Sequence, residues 1–250
     1  MISSVGVVVP AHDEEDRLPG CLAALRAAVA QAIAQQPGLR VRIVIAADAC
    51  SDGTAALARE AGATVVALSA RNVGQARAAG VREVLRPGPE NPPGGPTDPP
   101  GGPIAGLWLA TTDADSLVPA DWLARHLRYA ADGWEAVAGT VSVTDWTGHA
   151  PGTAAEFARQ YGVWRGPHPH VHGANLGFTA QAYLDAGGFP PLRTGEDRAL
   201  VATLRAQGRR VLRASSLPVV TSARRRYQAP AGFGHHLTTL GGTGSLAGAQ

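Results

Sequence analysis

A chain of 250 residues, 45% apolar and 17% charged, is long enough to bury a substantial core as one large α/β domain or two small ones. A net charge of +2, with no long Arg run or aromatic-interleaved basic patch, gives no case for a nucleic-acid partner. All 22 basic residues are Arg, which excludes Schiff-base chemistry and the Gly-Lys-Ser/Thr phosphate loop, because both need the amine; any phosphate held by a basic side chain is held by a guanidinium fork.

The chain opens Met1-Ile2-Ser3-Ser4-Val5-Gly6-Val7-Val8-Val9 with no basic start and no small-residue cleavage site, so it reads as a first strand and not as a signal peptide. Residues 5–9 form that strand, and Leu18, Leu22, Leu25, Val29 and Ile33 then recur at helical spacing on a long amphipathic helix. A second strand over 41–46, a helix over 54–61 stopped at Gly62, a third strand over 64–68 and a helix from about 73 to 85 follow. This alternation predicts a parallel sheet with helices on both faces. The stretch 87–103 is dominated by Pro and Gly and can be neither helix nor strand; since the sheet pattern resumes at 104–110, it is expected to be a mobile loop inserted in one domain.

Past Asp115, residues 119–131 read as a helix with Pro119 near its first turn, and 136–144 as a strand alternating Val137, Val141 and Val143. The remainder is mixed: a helix near 152–164, a Gly-rich strand over 173–179, a helix over 196–207, and short apolar runs at 211–212 and 219–220. The tail, 229–250, is rich in Gly and Thr and has no convincing periodicity, so the expected organisation is one domain over 1–228 followed by that tail. No apolar run approaches the roughly 18 residues of a membrane span, so no transmembrane segment is expected. Cys21 and Cys50 read as buried thiols of a cytoplasmic protein, and two cysteines cannot build a structural zinc site.

The most informative feature is Asp113-Ala114-Asp115, directly after the apolar run Gly106-Leu107-Trp108-Leu109-Ala110. In an alternating α/β chain this places two carboxylates at the carboxyl end of a strand, where such folds bind ligands. Hard oxygen ligands there suit Mg²⁺ or Mn²⁺ and, through the cation, a diphosphate; the competing reading is an Asp-rich turn. Four other segments sit at strand ends or helix starts. Pro10-Ala11-His12-Asp13-Glu14-Glu15 opens a helix and could simply complement its dipole. Asp48-Ala49-Cys50-Ser51-Asp52-Gly53-Thr54 could merely cap the next helix. Arg71-Asn72-Val73-Gly74-Gln75-Ala76-Arg77 brings two guanidiniums to the same sheet edge unless both lie on the helix surface. Gly195-Glu196-Asp197 opens a helix, and Arg224-Arg225-Arg226-Tyr227 is a cationic cluster that could be a solvated run. His168, His170 and His172 alternate, so an extended segment would put all three on one side as polar lining of an acceptor pocket; metal ligation by His172, or by His235-His236, is a weaker alternative.

In this order and spacing, the segments 7–15, 48–54, 112–115, His172-Gly173-Ala174-Asn175-Leu176-Gly177-Phe178 and 195–197 resemble the family 2 glycosyltransferases over nearly the whole chain. The resemblance implies the GT-A fold, a Rossmann-like, mostly parallel central sheet with helices on both faces in a single domain. It also implies an inverting, metal-dependent glycosyltransferase of hexosyltransferase type. The donor would be a nucleoside diphosphate sugar, with a UDP-sugar favoured, and the cofactor Mn²⁺ or Mg²⁺ at the DXD motif. Pro10, Ala11 and Asp48 would line the base pocket, with Asp48 accepting a hydrogen bond from the base, and Glu14 and Arg77 would support the nucleoside end. Asp113 would contact the ribose or a metal-bound water, Asp115 would ligate the metal, and Arg224, Arg225 or Arg226 would bind the departing diphosphate. Asp197 would be the catalytic base, with His172, Gly173, Ala174, Asn175 and Glu196 around the acceptor or sugar. The chain departs from the family at Asp13, where Asn is commoner, and at Ala47, where Asp is frequent.

The acceptor stays open among small metabolites, natural products and lipid-linked acceptors, and a homodimer is compatible with all of them. Rival readings are a sugar-phosphate nucleotidyltransferase, disfavoured because a Gly-rich Arg loop and a later Lys are both missing, and a non-catalytic nucleotide-sugar binding module, disfavoured by the presence of Asp115 and Asp197.

Overall fold

The computed structural model describes residues 1–86 and 104–224, together with Leu237 and Leu240. The expected loop at 87–103, the boundary after residue 228, Arg225, Arg226 and His235-His236 therefore lie outside the described residues. In chain order the elements are β1 (Ser4–Ala11), α1 (Leu18–Gln35), β2 (Arg40–Asp48), α2 (Thr54–Glu60), β3 (Thr64–Leu68), α3 (Val73–Leu85), β4 (Leu107–Thr111) and β5 (Ser116–Leu117). They continue with α4 (Trp122–Ala131), β6 (Ala136–Ser142), α5 (Thr153–Tyr161), β7 (Leu176–Thr179), α6 (Ala180–Asp185), α7 (Glu196–Ala206) and β8 (Val211–Thr221).

One sheet joins all the strands in the order β3-β2-β1-β4-β7-β6-β8-β5. β3, β2, β1 and β4 run parallel, as the alternating first half predicts; β7 is antiparallel to both β4 and β6, and β6 pairs parallel with β8. β1 is buried on both sides, which explains its unbroken Val run. Val5, Val7 and Val9 join Leu18, Leu22 and Leu25 of α1 and Trp122 and Leu123 of α4 on one face. Val8 joins Leu109, Phe178, Leu200 and Leu204 on the other. Close approach on that second face needs glycine: a Cβ on Gly80 of α3 would sit 2.4 Å from Val8 Cγ1.

Several sequence expectations are corrected. On α1 the buried line runs through Leu18, Leu22, Leu25, Ala28 and Ala32, and Ile33 is 41% exposed. At 100° per residue, position 33 has drifted off the face that position 18 defines. α1 is also long and apolar enough, by those criteria alone, to cross a membrane, but its inner side packs into the core of the sheet. The two short runs at 211–212 and 219–220 are one strand, β8, whose pairing with β6 shifts register between Gly139 and Thr140, so the intervening polar residues are absorbed by an irregularity. The expected strand over 173–179 begins as a 3₁₀ turn, Gly173–Asn175, and only Leu176–Thr179 pairs in the sheet. Cys21 is buried as expected, whereas Cys50 is only partly so.

Candidate functional site

The loops leaving the carboxyl ends of β1, β2, β3 and β4 meet the start of α7 and the end of β8 around a cleft of about 810 Å³. The first two loops are stitched together. Ser51 N–H donates to Asp13 Oδ1 (2.6 Å), Gly53 N–H to Glu15 Oε2 (2.6 Å) and Glu15 N–H to Asp52 Oδ2 (3.0 Å). Asp13 adopts a left-handed φ of 48°, which Asp tolerates much as Asn does, so the departure from the family's usual residue costs this turn little. Asp52 also accepts from Thr54 N–H (3.0 Å), the capping role that competes with a functional one. Asp13, Cys50 and Asp52 bring ligand-type atoms within 4.8 Å of one another, but both carboxylates are already committed to these loop amides.

The Glu14 carbonyl accepts from Leu18 N–H (2.8 Å) at the start of α1, but its side chain does not serve the helix dipole. Its amide donates to the buried Thr54 hydroxyl (2.7 Å), and its carboxylate, 4% exposed, forms a two-pronged pair with Arg224, 210 residues away. Arg224 also lies 3.4 Å from Asp115 Oδ2. Burial pushes the Asp115 carboxyl up to about 6; Arg224 opposes that rise, while Asp113 and Glu14 add to it. Beneath the pair, the Cys21 thiol donates to Asp113 O (3.4 Å) and is pushed up to about 12 by burial and by the nearby carboxylates, which makes it inert.

Arg77 is buried, not a helix-surface residue. Its guanidinium pairs with Asp113 on one side and Glu196 on the other, and its Nε donates to Thr111 Oγ1 (3.2 Å). It thereby ties the first aspartate of the DXD segment to the loop that opens α7. Gly173 allows this arrangement, because a Cβ there would lie 2.3 Å from Arg77 Nη2. Gly173 N–H in turn donates to Asp197 Oδ2 (2.7 Å), and Asp197 Oδ1 accepts from Arg198 N–H (2.7 Å), so backbone amides fix the orientation of this carboxylate.

Asp48 spends its carboxylate on its own surroundings, accepting from the amides of Ala70 (2.7 Å), Arg71 (2.9 Å) and Asn72 (2.7 Å) and so shaping the β3–α3 loop. The α6–α7 loop is pinned to the same place, with Asn72 Nδ2 donating to Pro191 O (3.0 Å) and Gly74 N–H to Leu192 O (3.1 Å). His168, His170 and His172 do lie on one side: their rings stack in series with centroids 5.9 Å apart, and Tyr161 stacks on His170 at 4.0 Å. Burial, together with His170, pushes His172 down to about 3, so its imidazole is neutral at physiological pH.

The structure thus gathers in one cleft Pro10, Ala11, Glu14, Asp48, Arg77, Asp113 and Asp115 from the first half, and His172, Gly173, Ala174, Glu196, Asp197 and Arg224 from the second. It does not bring Asn175 there. That side chain is fully buried beneath the cleft, accepting from Trp122 Nε1 (2.9 Å) and donating to Thr140 O (2.8 Å) and Leu217 O (2.6 Å), which leaves it a core role. Sequence reasoning missed Arg193, Thr194, Arg198 and Ser222 as cleft residues. No motif marks them; only their adjacence to Gly195-Glu196-Asp197 and to Arg224 could have suggested them. Asp115 suits a hard divalent cation, being a buried carboxylate oxygen donor close to Asp113 and Glu14, with the Arg224 guanidinium shared between it and Glu14.

No curated protein sequence matches the chain. Among solved structures it is similar to S. aureus TarS 1–349 in complex with UDP-GlcNAc, with 12% identity and a TM-score of 0.64 over 91% of this chain and 61% of that one. It is similar also to the mannosyltransferase PcManGT from Pyrobaculum calidifontis in complex with GDP-Man and Mn²⁺, at 20% identity, TM-score 0.62, 89% of this chain and 57% of that one. A third is glucosyl-3-phosphoglycerate synthase from Mycobacterium tuberculosis in complex with Mn²⁺, UDP and glucosyl-3-phosphoglycerate, at 15% identity, TM-score 0.54, 90% of this chain and 73% of that one. The chain spans less than two-thirds of the length of the first two, and at these identities the likeness establishes a shared GT-A fold. The model of Glycosyl transferase family 2 matches residues 6–183, and the chain belongs to that family.

Proposed function

We propose that this protein is an inverting, metal-dependent glycosyltransferase that moves a sugar from a nucleoside diphosphate sugar, with a UDP-sugar favoured, to an acceptor hydroxyl. The observation that carries the reading is that Asp115 and Asp197, 82 positions apart in sequence (197 − 115), open into the same cleft with opposite environments. Asp115 sits among carboxylates and a guanidinium, as a cation and diphosphate site requires; Asp197 is aimed by two amides and has no cation paired to its carboxylate among the described residues. The solved relatives bound to UDP-GlcNAc, to GDP-Man with Mn²⁺ and to UDP with Mn²⁺ support the donor class and the cation.

A divalent cation held by Asp115, with Asp113 supporting it, would neutralise the charge that develops on the departing diphosphate. Arg224 stands ready to bind the same phosphates once it leaves Glu14 and Asp115, its fork being suited to paired oxygens. Pro10, Ala11 and the loop shaped by Asp48 would hold the base. On the acceptor side Asp197 Oδ would take the proton of the attacking hydroxyl, a role that typically contributes about 10²- to 10⁴-fold.

The test is a donor panel assayed for nucleoside diphosphate release with Mn²⁺ or Mg²⁺ and after chelation, alongside Asp115→Ala and Asp197→Asn. Asp197→Asn should keep donor binding and lose at least about 100-fold in transfer. Release from no donor, or release indifferent to chelation and to Asp115→Ala, would refute the reading.

A further inference from the structure

Every carboxylate that lines the cleft has its charge met from within the protein. Arg77 serves Asp113 and Glu196, Arg224 serves Glu14 and Asp115, three amides hold Asp48 and two hold Asp197. Two guanidiniums on the wall beside Asp197 are not met in this way. Arg193 and Arg198 are exposed, line the cleft, and make no ion pair or side-chain hydrogen bond among the described residues.

These are not residues of a loose surface segment. The α6–α7 loop that carries Arg193 is bound to the start of α3 through Leu192 O and Pro191 O, and it packs so closely that a Cβ on Gly74 would lie 2.1 Å from Pro190 O. Arg198 stands in the first turn of α7, one position after Asp197, and its Nη2 would lie 3.4 Å from a Cβ on Gly195, so the guanidinium folds back toward the loop. The cleft is lined also by Val141 and by the stacked imidazoles of His170 and His172, which offer no negative charge. Cations that make no ion pair among the described residues, close in sequence to the group that would deprotonate an acceptor, form a site for an anion.

We propose that the acceptor carries a phosphate or carboxylate group, and that Arg193 and Arg198 bind it so that a neighbouring hydroxyl is presented to Asp197. This rests on the glycosyltransferase reading and adds the acceptor's chemical class. The diphosphate of the donor is served at the other end, by Asp115 and Arg224, and leaves these two arginines to the second substrate.

The experiment is calorimetric titration of the protein saturated with UDP or GDP and Mn²⁺, which fills the diphosphate end, using inorganic phosphate, glycerol 3-phosphate, glycerate and glycerol as probes. The anions should bind, glycerol should not, and Arg193→Gln/Arg198→Gln should weaken the anions at least about tenfold while leaving nucleotide affinity and melting temperature unchanged. Equal anion binding by both proteins, or no anion binding by the wild type, overturns the proposal. A parallel arm compares UDP-glucuronate with UDP-glucose: if the double variant weakens only the glucuronate, the arginines read the donor's sugar and the acceptor assignment falls. A wild type that binds no nucleotide overturns the donor reading instead, and the anion titrations, repeated without nucleotide, still decide the role of the arginines.

Discussion

Replacing Arg77 by Met removes, among the described residues, the cation that faces the buried Glu196. The Arg77 and Glu196 side chains are 4% and 3% exposed, so neither can recover solvation when the other is deleted. Breaking a buried pair in this way costs about 3–5 kcal/mol; Asp113, at 37% exposed, adds little because solvent screens it. Arg77→Met should therefore lose about 3–5 kcal/mol in urea unfolding at pH 7. Arg77→Met/Glu196→Gln should lose much less than the sum of the single changes, with a coupling of at least about 2 kcal/mol.

The pH dependence gives an independent check. Burial already raises the Glu196 carboxyl while Arg77 holds it down; without Arg77 it rises further. A folded-state pKa above the unfolded one favours the protonated fold, so the single variant should regain stability as the pH falls from 7 to 5 and lose it again as the pH rises. An Arg77→Met loss below about 1 kcal/mol, or additivity with Glu196→Gln, would refute the account of Arg77 as the tie between the two halves of the cleft.

Arg224→Met should bind free Mn²⁺ more tightly than the wild type in the absence of nucleotide, because Asp115 loses its resident guanidinium, but bind Mn²⁺ with UDP more weakly; unchanged Mn²⁺ binding by electron paramagnetic resonance would contradict this. His126 is fully buried between Trp108 and Trp122, and burial pushes it down to about 3. Unfolded chains then bind the extra proton at acid pH, so stability falls as the pH drops below about 6.5, and His126→Phe should flatten that slope between pH 4 and 6 by about 1.4 kcal/mol per unit. An unaltered slope in denaturant titrations would mean that His126 charges in the fold. A Cβ at Gly74 would lie within 2.9 Å of backbone atoms of both Pro190 and Leu192, so Gly74→Ala should cost about 3 kcal/mol and loosen the α6–α7 loop, seen as faster amide exchange over 190–195; a neutral effect would show that the close packing is not obligatory.

The sequence by itself determined the local elements and the ends at which chemistry collects. Periodicity alone gives the bounds of β3 and α3, and the alternation of strand and helix gives the parallel half of the sheet, because both follow from interactions spanning a few residues. It also picked out every carboxylate that lines the cleft, since these sit at strand ends or helix starts whose position along the chain is legible. Partners were not legible. Arg77 was expected at the nucleoside end, with a helix-surface position as the competing reading, and nothing in the sequence paired it with Asp113 and Glu196; Asn175 looked like a pocket residue until Trp122, Thr140 and Leu217 claimed it. Glu14 was expected to support the nucleoside end, with a dipole complement as the competing reading, and its partner Arg224 comes from 210 positions away. Whether a polar side chain faces substrate or core depends on which distant groups desolvate and pair with it, and only the folding of the second half of the chain over the first decides that.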